Sequence, residues 1–196
     1  YFSEVMGNAT RTLIWNAALI KKIFLPREMF PVASAYVAVV HFVPQLVVLL
    51  AGSLYYGWRP TVLGLAAILA GFLIVTFAAL GLGLIFGCLN VFFRDSENLV
   101  DLILMIATWV SPVLYPVEKV KNVVPEWIWH VYQANPVTVA VELFHYGFWS
   151  TATGQSVPEI GSFLVLILIG LVGSLIVLGL GQLAFKRTEG KFAQEL

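Results

Sequence analysis

Hydrophobic positions are concentrated in four long runs without Asp, Glu, Lys or Arg, at 29 to 58, 61 to 93, 102 to 117 and 160 to 185. Three of these runs exceed the roughly 20 residues that a helix needs to cross a bilayer. Apolar and polar residues do not alternate as in a barrel strand, and backbone groups in lipid must be paired internally, so the runs predict helices. We place membrane spans at 31 to 56, 62 to 89, 97 to 115 and 159 to 185, after a more polar helix at 1 to 18 that forms the end of a span.

The amino-acid composition indicates that this chain folds in a lipid bilayer and not in water. With 60% hydrophobic and 11% charged residues, the chain would expose too much apolar surface as a water-soluble domain. The expected fold class is therefore all-α, a polytopic integral membrane protein with a single transmembrane domain over 1 to 196. Lys plus Arg equals Asp plus Glu at 11 each, and this balance gives no basic surface for nucleic acid. The single cysteine, Cys88, cannot form an intrachain disulfide.

The positions of Lys and Arg predict which ends of the spans face the cytoplasm. Loops on the cytoplasmic side are enriched in these residues. Residues 19 to 28, the loop 90 to 96 and the tail 186 to 196 are therefore expected to be cytoplasmic, together with the C-terminus. That side holds eight basic residues and the other side three. The eight are Arg11, Lys21, Lys22, Arg27, Arg94, Lys186, Arg187 and Lys191, and the three are Arg59, Lys119 and Lys121.

Small residues recur at helical spacing inside two of the spans. Gly83 and Gly87 form a GxxxG pair, and Gly81 lies in the same span. Gly170 and Ser174 have the same spacing in the last span. Such positions allow helices to approach closely in a membrane, so we interpret these residues as packing positions and not as ligand contacts.

The segment 116 to 158 is too polar to span the membrane and unusually aromatic for a loop. Asn135-Pro136 divides it, because proline disfavours helical geometry in the preceding residue and is tolerated at a helix start. Two short helices are expected, at about 124 to 133 and 137 to 148. Two interpretations are open, a re-entrant pair dipping into the outer leaflet and an amphipathic hairpin lying at the interface. Glu142, His145 and His130 are too few for a metal site, and we predict no bound metal.

The connector 17 to 31, AALIKKIFLPREMFP, mixes apolar and charged residues between two helices. One interpretation is a turn at the membrane surface with snorkelling lysines. The other is a docking element, apolar enough to enter a groove of a partner and charged enough to be oriented there. Physical reasoning from these residues does not separate the two.

Three motifs in this sequence resemble those of ABC-2 type transporter permeases that export polysaccharide, O-antigen and teichoic acid. Their pattern is N-x-x-L-I-x-K-x-x-F-P-R-E, then L-N-V-x-x-R-D about sixty residues later, then S-P-V-x-Y-P. The strings NAALIKKIFLPREMFP and LNVFFRDSENLVDLILMIATWVSPVLYP follow it in order, with Leu25 where an aromatic residue is usual. The matching positions are Asn16, Leu19, Ile20, Lys22, Pro26, Arg27, Glu28, Leu89, Asn90, Val91, Arg94, Asp95, Ser111, Pro112, Val113, Tyr115 and Pro116.

The resemblance implies the six-span ABC-2, or type V exporter, permease fold, with the first span and half of the second preceding Tyr1. It implies that residues 19 to 28 are a cytoplasmic coupling helix and that the outer helices are re-entrant. Two permease copies, a homodimer, and two copies of a nucleotide-binding ATPase subunit would make the transporter in a bacterial inner membrane. The cargo implied is a lipid-linked glycan of O-antigen, galactan or teichoic acid type, mycobacterial galactan among them.

The same resemblance gives the candidate site residues their roles. The chain has no G-x-x-x-x-G-K-[ST] loop, so no cofactor is expected on it, and ATP and Mg would bind the partner subunit. Side chains proposed to line a sugar channel, or otherwise to pack between helices, are Tyr36, His41, Gln45, Trp109 and Tyr115. Side chains proposed to couple the permease to the ATPase are Lys21, Lys22, Phe24, Pro26, Arg27, Glu28, Arg94 and Asp95. Arg94 has Asp101 as another possible partner, and Asp95 has helix capping as another role.

Three other functions compete with glycan export. A multidrug or small-molecule exporter of the same superfamily is disfavoured by the polysaccharide-type motifs. An integral membrane glycosyltransferase needs clustered acidic residues, whereas the carboxylates in and after the outer segment are dispersed. An ion channel needs a selectivity filter or a ring of charges, and neither is evident. We therefore expect a transport permease and not an enzyme.

Overall fold

A computed structural model describes residues 1–22, 26–115, 117–121, 123–150 and 160–195. Every regular element in these ranges is helical. In chain order they are α1 (Phe2–Trp15), α2 (Ala17–Ile20), α3 (Met29–Tyr55), α4 (Val62–Phe92), α5 (Ser96–Val110), α6 (Val117–Lys121), α7 (Glu126–Ala134), α8 (Pro136–His145), a π-helical turn (Tyr146–Ser150) and α9 (Ile160–Glu195). The predicted all-α class is confirmed.

Three helices in the described part of the chain are long and apolar enough to cross a membrane, at Met29–Tyr55, Val62–Phe92 and Phe163–Phe192. The remaining predicted span, 97 to 115, corresponds to α5, which has 15 residues and is therefore only about 22 Å long. Turns and bends follow it from Ser111 to Tyr115, because Pro112 has no backbone N–H with which to continue the helix. A fourth span at this position stays a prediction.

The last helix continues ten residues beyond the predicted end of its span at 185. Lys186 and Arg187 mark the end of the apolar stretch, but helical hydrogen bonds continue through them to Glu195. Phe185 and Phe192 are fully buried, with ring centroids 5.3 Å apart. Most of the predicted tail is therefore helical, and the burial of Phe192 stabilises the helix beyond the apolar stretch.

The chain divides into two compact units, and the first comprises Tyr1–Val43, Thr76–Ile106 and Leu175–Leu196. Here α1 packs on the second half of α4, where a Cβ at Gly83 would lie 2.5 Å from Ala9 Cβ. The Asn90 amide donates to the Thr10 carbonyl at 3.2 Å across the same contact. A Cβ at Gly81 would lie 2.6 Å from the Leu178 backbone nitrogen on α9. The glycines of α4 are packing positions, as their spacing predicts.

The second unit comprises Pro44–Val75 and Ala107–Ser174. Its core joins α8 to the first half of α4 and of α9 through Val139, Leu143, Ile74 and other apolar residues. The break before α8 follows from Asn135, which caps the helix by accepting a hydrogen bond from the Val137 N–H at 3.0 Å. The two short helices predicted on either side of this break are therefore α7 and α8. Their depth and side in the membrane stay predictions.

Candidate functional site

The connector between α1 and α3 begins at a break at Asn16. The Asn16 backbone N–H and side-chain amide both donate to the Thr12 carbonyl, at 3.1 and 2.8 Å, so Asn16 closes the last turn of α1. A single turn, α2, follows, and its Ile20 is buried in a cluster with residues of α4 and α9. Lys21 and Lys22 are exposed. The connector is thus anchored by an apolar residue and presents charge beyond it.

The predicted coupling residues fall into three groups. Phe24 lies outside the described residues. Lys21, Lys22 and Pro26 are exposed and available to a partner. Arg27 and Glu28 are half-buried; the Arg27 guanidinium donates to the backbone carbonyl of Glu189 on α9. An arginine expected to orient a partner therefore also ties the connector to the last helix.

Arg94 and Asp95 occupy the turn between α4 and α5, and both are exposed. The Asp95 backbone carbonyl accepts from the N–H groups of Asn98 at 3.1 Å and Leu99 at 3.3 Å, so Asp95 immediately precedes the first turn of α5. Asp101, considered above as a partner for Arg94, instead accepts a hydrogen bond from Arg11. The Arg94–Asp101 pair is not formed.

Arg11 is a functional candidate that the motifs did not reveal. Its guanidinium lies 2.5 Å from Asp101 and 3.7 Å from Glu97. Both acids are on α5, one turn apart, so a single arginine on α1 bridges the two helices. The signal in the sequence was that Arg11 is the only basic residue between 1 and 20, and a cation in a largely apolar helix needs a partner.

Two predicted channel residues lie in the first unit. Tyr36 is 70% exposed. The His41 Nδ1 atom lies 2.5 Å from a carboxylate oxygen of Glu4 on α1, which supports the alternative that it hydrogen-bonds to a neighbouring helix. The imidazole remains more than half exposed, so a role in a channel stays a prediction. Gln45, in the second unit, is exposed.

Trp109 and Tyr115 lie in the second unit at the end of α5. Trp109 is 70% exposed. The Tyr115 hydroxyl lies 2.7 Å from the Val110 carbonyl and 3.1 Å from the Trp109 carbonyl. The last carbonyls of a helix have no intrahelical donor, so the tyrosine acts as a side-chain cap.

Tyr132, on α7, takes part in the same cap and was not predicted. Its hydroxyl donates to the Val110 carbonyl at 2.9 Å and lies 3.3 Å from the Tyr115 hydroxyl. Burial, and then the hydrogen bond with Tyr115, raise the pKa of the Tyr132 hydroxyl above its ordinary value. It therefore remains a protonated donor at physiological pH, and it ties α7 to the end of α5.

Metal-binding side chains are sparse in the described ranges. No group of three or more His, Cys, Asp or Glu is placed to hold an ion there. The Glu142 carboxylate and His145 Nδ1 lie 3.6 Å apart on α8, while His130 is exposed on α7. This pair is an ordinary helix-surface contact between residues three positions apart.

The connector, the turn between α4 and α5, and helices α7 and α8 all lie in a region that matches a known protein family. Residues 18–149, from the connector through α8, match the family model described as ABC-2 type transporter. The chain belongs to the ABC-2 type transporter family. With three helices long and apolar enough to span a bilayer, this family member is a multi-pass membrane protein.

Relatives of this ABC-2 family member include three proteins named O-antigen export system permease protein RfbA. Two from Klebsiella pneumoniae are 32% identical over 154 residues and 31% identical over 140 residues, covering 75% and 70% of this chain and 57% and 51% of the relatives. One from Myxococcus xanthus is 26% identical over 122 residues, or 62% of this chain and 46% of the relative. The chain thus spans about half the length of the curated relatives it matches.

Proposed function

We propose that this chain is a permease subunit of an ABC transporter that exports a lipid-linked cell-envelope polysaccharide across the bacterial cytoplasmic membrane. Energy would come from ATP hydrolysis, with Mg, in two copies of a separate nucleotide-binding subunit. A second permease copy would complete the translocation path, and the C-terminus would be cytoplasmic. The cargo is of the O-antigen, galactan or teichoic acid type.

The observation that carries this proposal is the match to relatives named O-antigen export permeases at 31% and 32% identity. The matched family region, 18–149, includes the connector and the turn holding Arg94. The same names favour a glycan cargo over a small molecule. The absence of a phosphate-binding loop from these 196 residues supports placing ATP hydrolysis in another subunit.

The connector provides the mechanical link in this proposal. Its exposed residues, Lys21, Lys22 and Pro26, would contact the ATPase. The Arg27 hydrogen bond to Glu189 and the buried Ile20 would make the contact surface move with α4 and α9, since packed helices shift as rigid elements. A movement of the ATPase would then be transmitted directly to the membrane-spanning helices.

The exposed aromatic and polar groups suit a sugar polymer. Tyr36 and Trp109 expose 70% of their surface and offer faces on which sugar rings stack. His41 and Gln45 add polar atoms on α3, where side chains in a membrane usually face protein or water. In this proposal they line the path formed with the second permease copy.

Docking is tested by reversing two exposed charges, Lys21→Glu with Lys22→Glu, in the full-length permease expressed with its ATPase. Co-purification of the ATPase should fall about tenfold, and export should fall with it, because the reversed charges would repel the surface they now fit. Membrane insertion should be unchanged, since neither side chain is buried.

The matched control is Arg59→Glu, an equally exposed charge reversal on the opposite side of the membrane. It should leave co-purification and export at the wild-type level. Normal ATPase capture by the lysine variant would refute the docking role. The cargo is tested separately in a strain that lacks the native gene. If the wild-type protein binds the ATPase there but exports no glycan, the cargo assignment is refuted.

A further inference from the structure

An apolar groove of about 460 Å³ opens in the first unit between α3, α4 and α9. Pro31 lies on the α3 side, Phe77 and Leu84 on the α4 side, and Leu175 and Leu178 on the α9 side. All three helices are long and apolar enough to span a membrane. The size falls within the range of small-molecule sites in proteins, and neither the motifs nor the proposed transport cycle assigns this groove an occupant.

The groove lies in the membrane half that is nearer the basic ends of the spans. Its α9 wall ends at Gln182, four residues before Lys186, and its α3 wall begins with Glu28, one residue after Arg27. Hydrocarbon surrounds the spans at this depth, so the ligand available to an apolar slot is a lipid chain. A polar mouth beside a headgroup layer and an apolar interior below it match the two parts of a phospholipid.

The charges at the mouth indicate which headgroup fits. Glu28 lines the groove, and its carboxylate takes part in none of the ion pairs formed among the described residues. Arg27 is not part of the groove lining but precedes Glu28 in the chain; it uses one guanidinium nitrogen for the Glu189 carbonyl and retains other donors. An acid and a base at adjacent positions complement a headgroup that has both a phosphate and an ammonium.

We propose that this groove binds an amine-bearing phospholipid of the phosphatidylethanolamine class. One acyl chain lies between α4 and α9, the ammonium contacts Glu28, and the phosphate contacts Arg27. The site depends only on insertion of the chain into a membrane. It is independent of which cargo the transporter carries.

Gly179 makes the groove testable without damage to the fold. It lines the groove, and a Cβ built on it meets no atom within 4 Å. A phenylalanine at this position therefore projects into the space assigned to the acyl chain. Gly52, on α3, is equally open and lies outside the groove, so Gly52→Phe is the matched control.

The experiment reconstitutes the full-length permease with its ATPase in vesicles of phosphatidylethanolamine and phosphatidylglycerol in equal amounts. The retained lipids are counted by native mass spectrometry after extraction. Phosphatidylethanolamine should be retained in preference by the wild type. Gly179→Phe should lower its retention about tenfold, as expected for the loss of a filled apolar slot, whereas Gly52→Phe should not change it.

A second variant, Glu28→Gln, tests the headgroup separately from the chain. It should lower the preference for phosphatidylethanolamine over phosphatidylglycerol about two- to five-fold, while total lipid retention persists. Unchanged retention in Gly179→Phe would overturn the proposal. So would loss of the second permease copy or of the folded protein in that variant, because either result would show that protein covers the groove.

Discussion

Two helices of similar hydropathy, α3 and α4, differ sharply in how much of their surface is packed. Their most apolar stretches have mean hydropathies of 2.1 and 2.5, yet 6% of that stretch is buried in α3 and 39% in α4. Helix association in lipid gains little from apolarity, because lipid tails are as apolar as leucine. Within this chain, the difference between the two helices lies in how closely neighbouring helices approach them.

The shape of α4 is set by its glycines. At Gly81 the backbone of α9 approaches so closely that a Cβ would lie 2.6 Å from the Leu178 nitrogen, and Gly83 has a similar contact with Ala9 of α1. At Gly52, on α3, a Cβ would meet nothing within 4 Å. Glycine is therefore required for close helix packing in α4, whereas the glycine at position 52 of α3 makes no close contact within this chain. The following substitutions test this difference.

The largest effect is expected at Gly81. In Gly81→Ala the new methyl group would overlap the Leu178 backbone, which cannot rotate away as a side chain can. We expect a loss of about 3 kcal/mol in the free energy of unfolding, the upper part of the range for overpacking. Unfolding in mixed micelles by titration with a denaturing detergent measures it, and a loss below that of Gly170→Ala would contradict the packing argument.

An intermediate effect is expected at Gly170 in the second unit. A Cβ there would lie 2.7 Å from Val139 Cγ1 and 2.8 Å from Ile74 Cδ1. Both atoms belong to side chains, and the isoleucine methyl can move by rotation, so Gly170→Ala should cost about 1–2 kcal/mol. Ile74→Val, by shortening that side chain, should recover part of the loss in the double variant.

A smaller effect is expected at the polar contact that joins α3 to α1. His41→Leu removes the 2.5 Å contact with Glu4 and should cost about 0.5–1 kcal/mol, the usual range for polar contacts between membrane helices. A double-mutant cycle with Glu4→Leu isolates the interaction. A coupling energy of zero would show that the His41–Glu4 contact does not stabilise the packing of α3 on α1.

The smallest effect is expected at Gly52. Gly52→Ala adds a methyl group to open space, and alanine has the higher helix propensity, so the free energy of unfolding should rise by up to about 1 kcal/mol. The same detergent titration measures it. A loss of stability at this position in the full-length protein would show that another helix covers the open surface of α3.

The candidate site was predicted unevenly. The connector residues Lys22, Arg27 and Glu28 are motif positions in one contiguous stretch, so reading along the chain was enough to select them. Arg11 and Tyr132 have no such signal, because their roles depend on Asp101 and Val110, which lie far away in the sequence. Comparison of motifs identifies residues within one continuous segment. The contacts of Arg11 and Tyr132 join segments that are distant in the sequence, so motifs do not reveal them.

The sequence alone determined the all-α class, the transporter family and the position of the break at Asn135-Pro136, because each depends on local composition or on contiguous residues. Only the tertiary structure decided that Arg11 pairs with α5, that Arg27 binds the Glu189 carbonyl and that the last helix continues to Glu195. Hydropathy reports the solvent that each residue prefers. Hydropathy does not predict which helices pack against each other, because helix packing in lipid depends on the fit between helix surfaces.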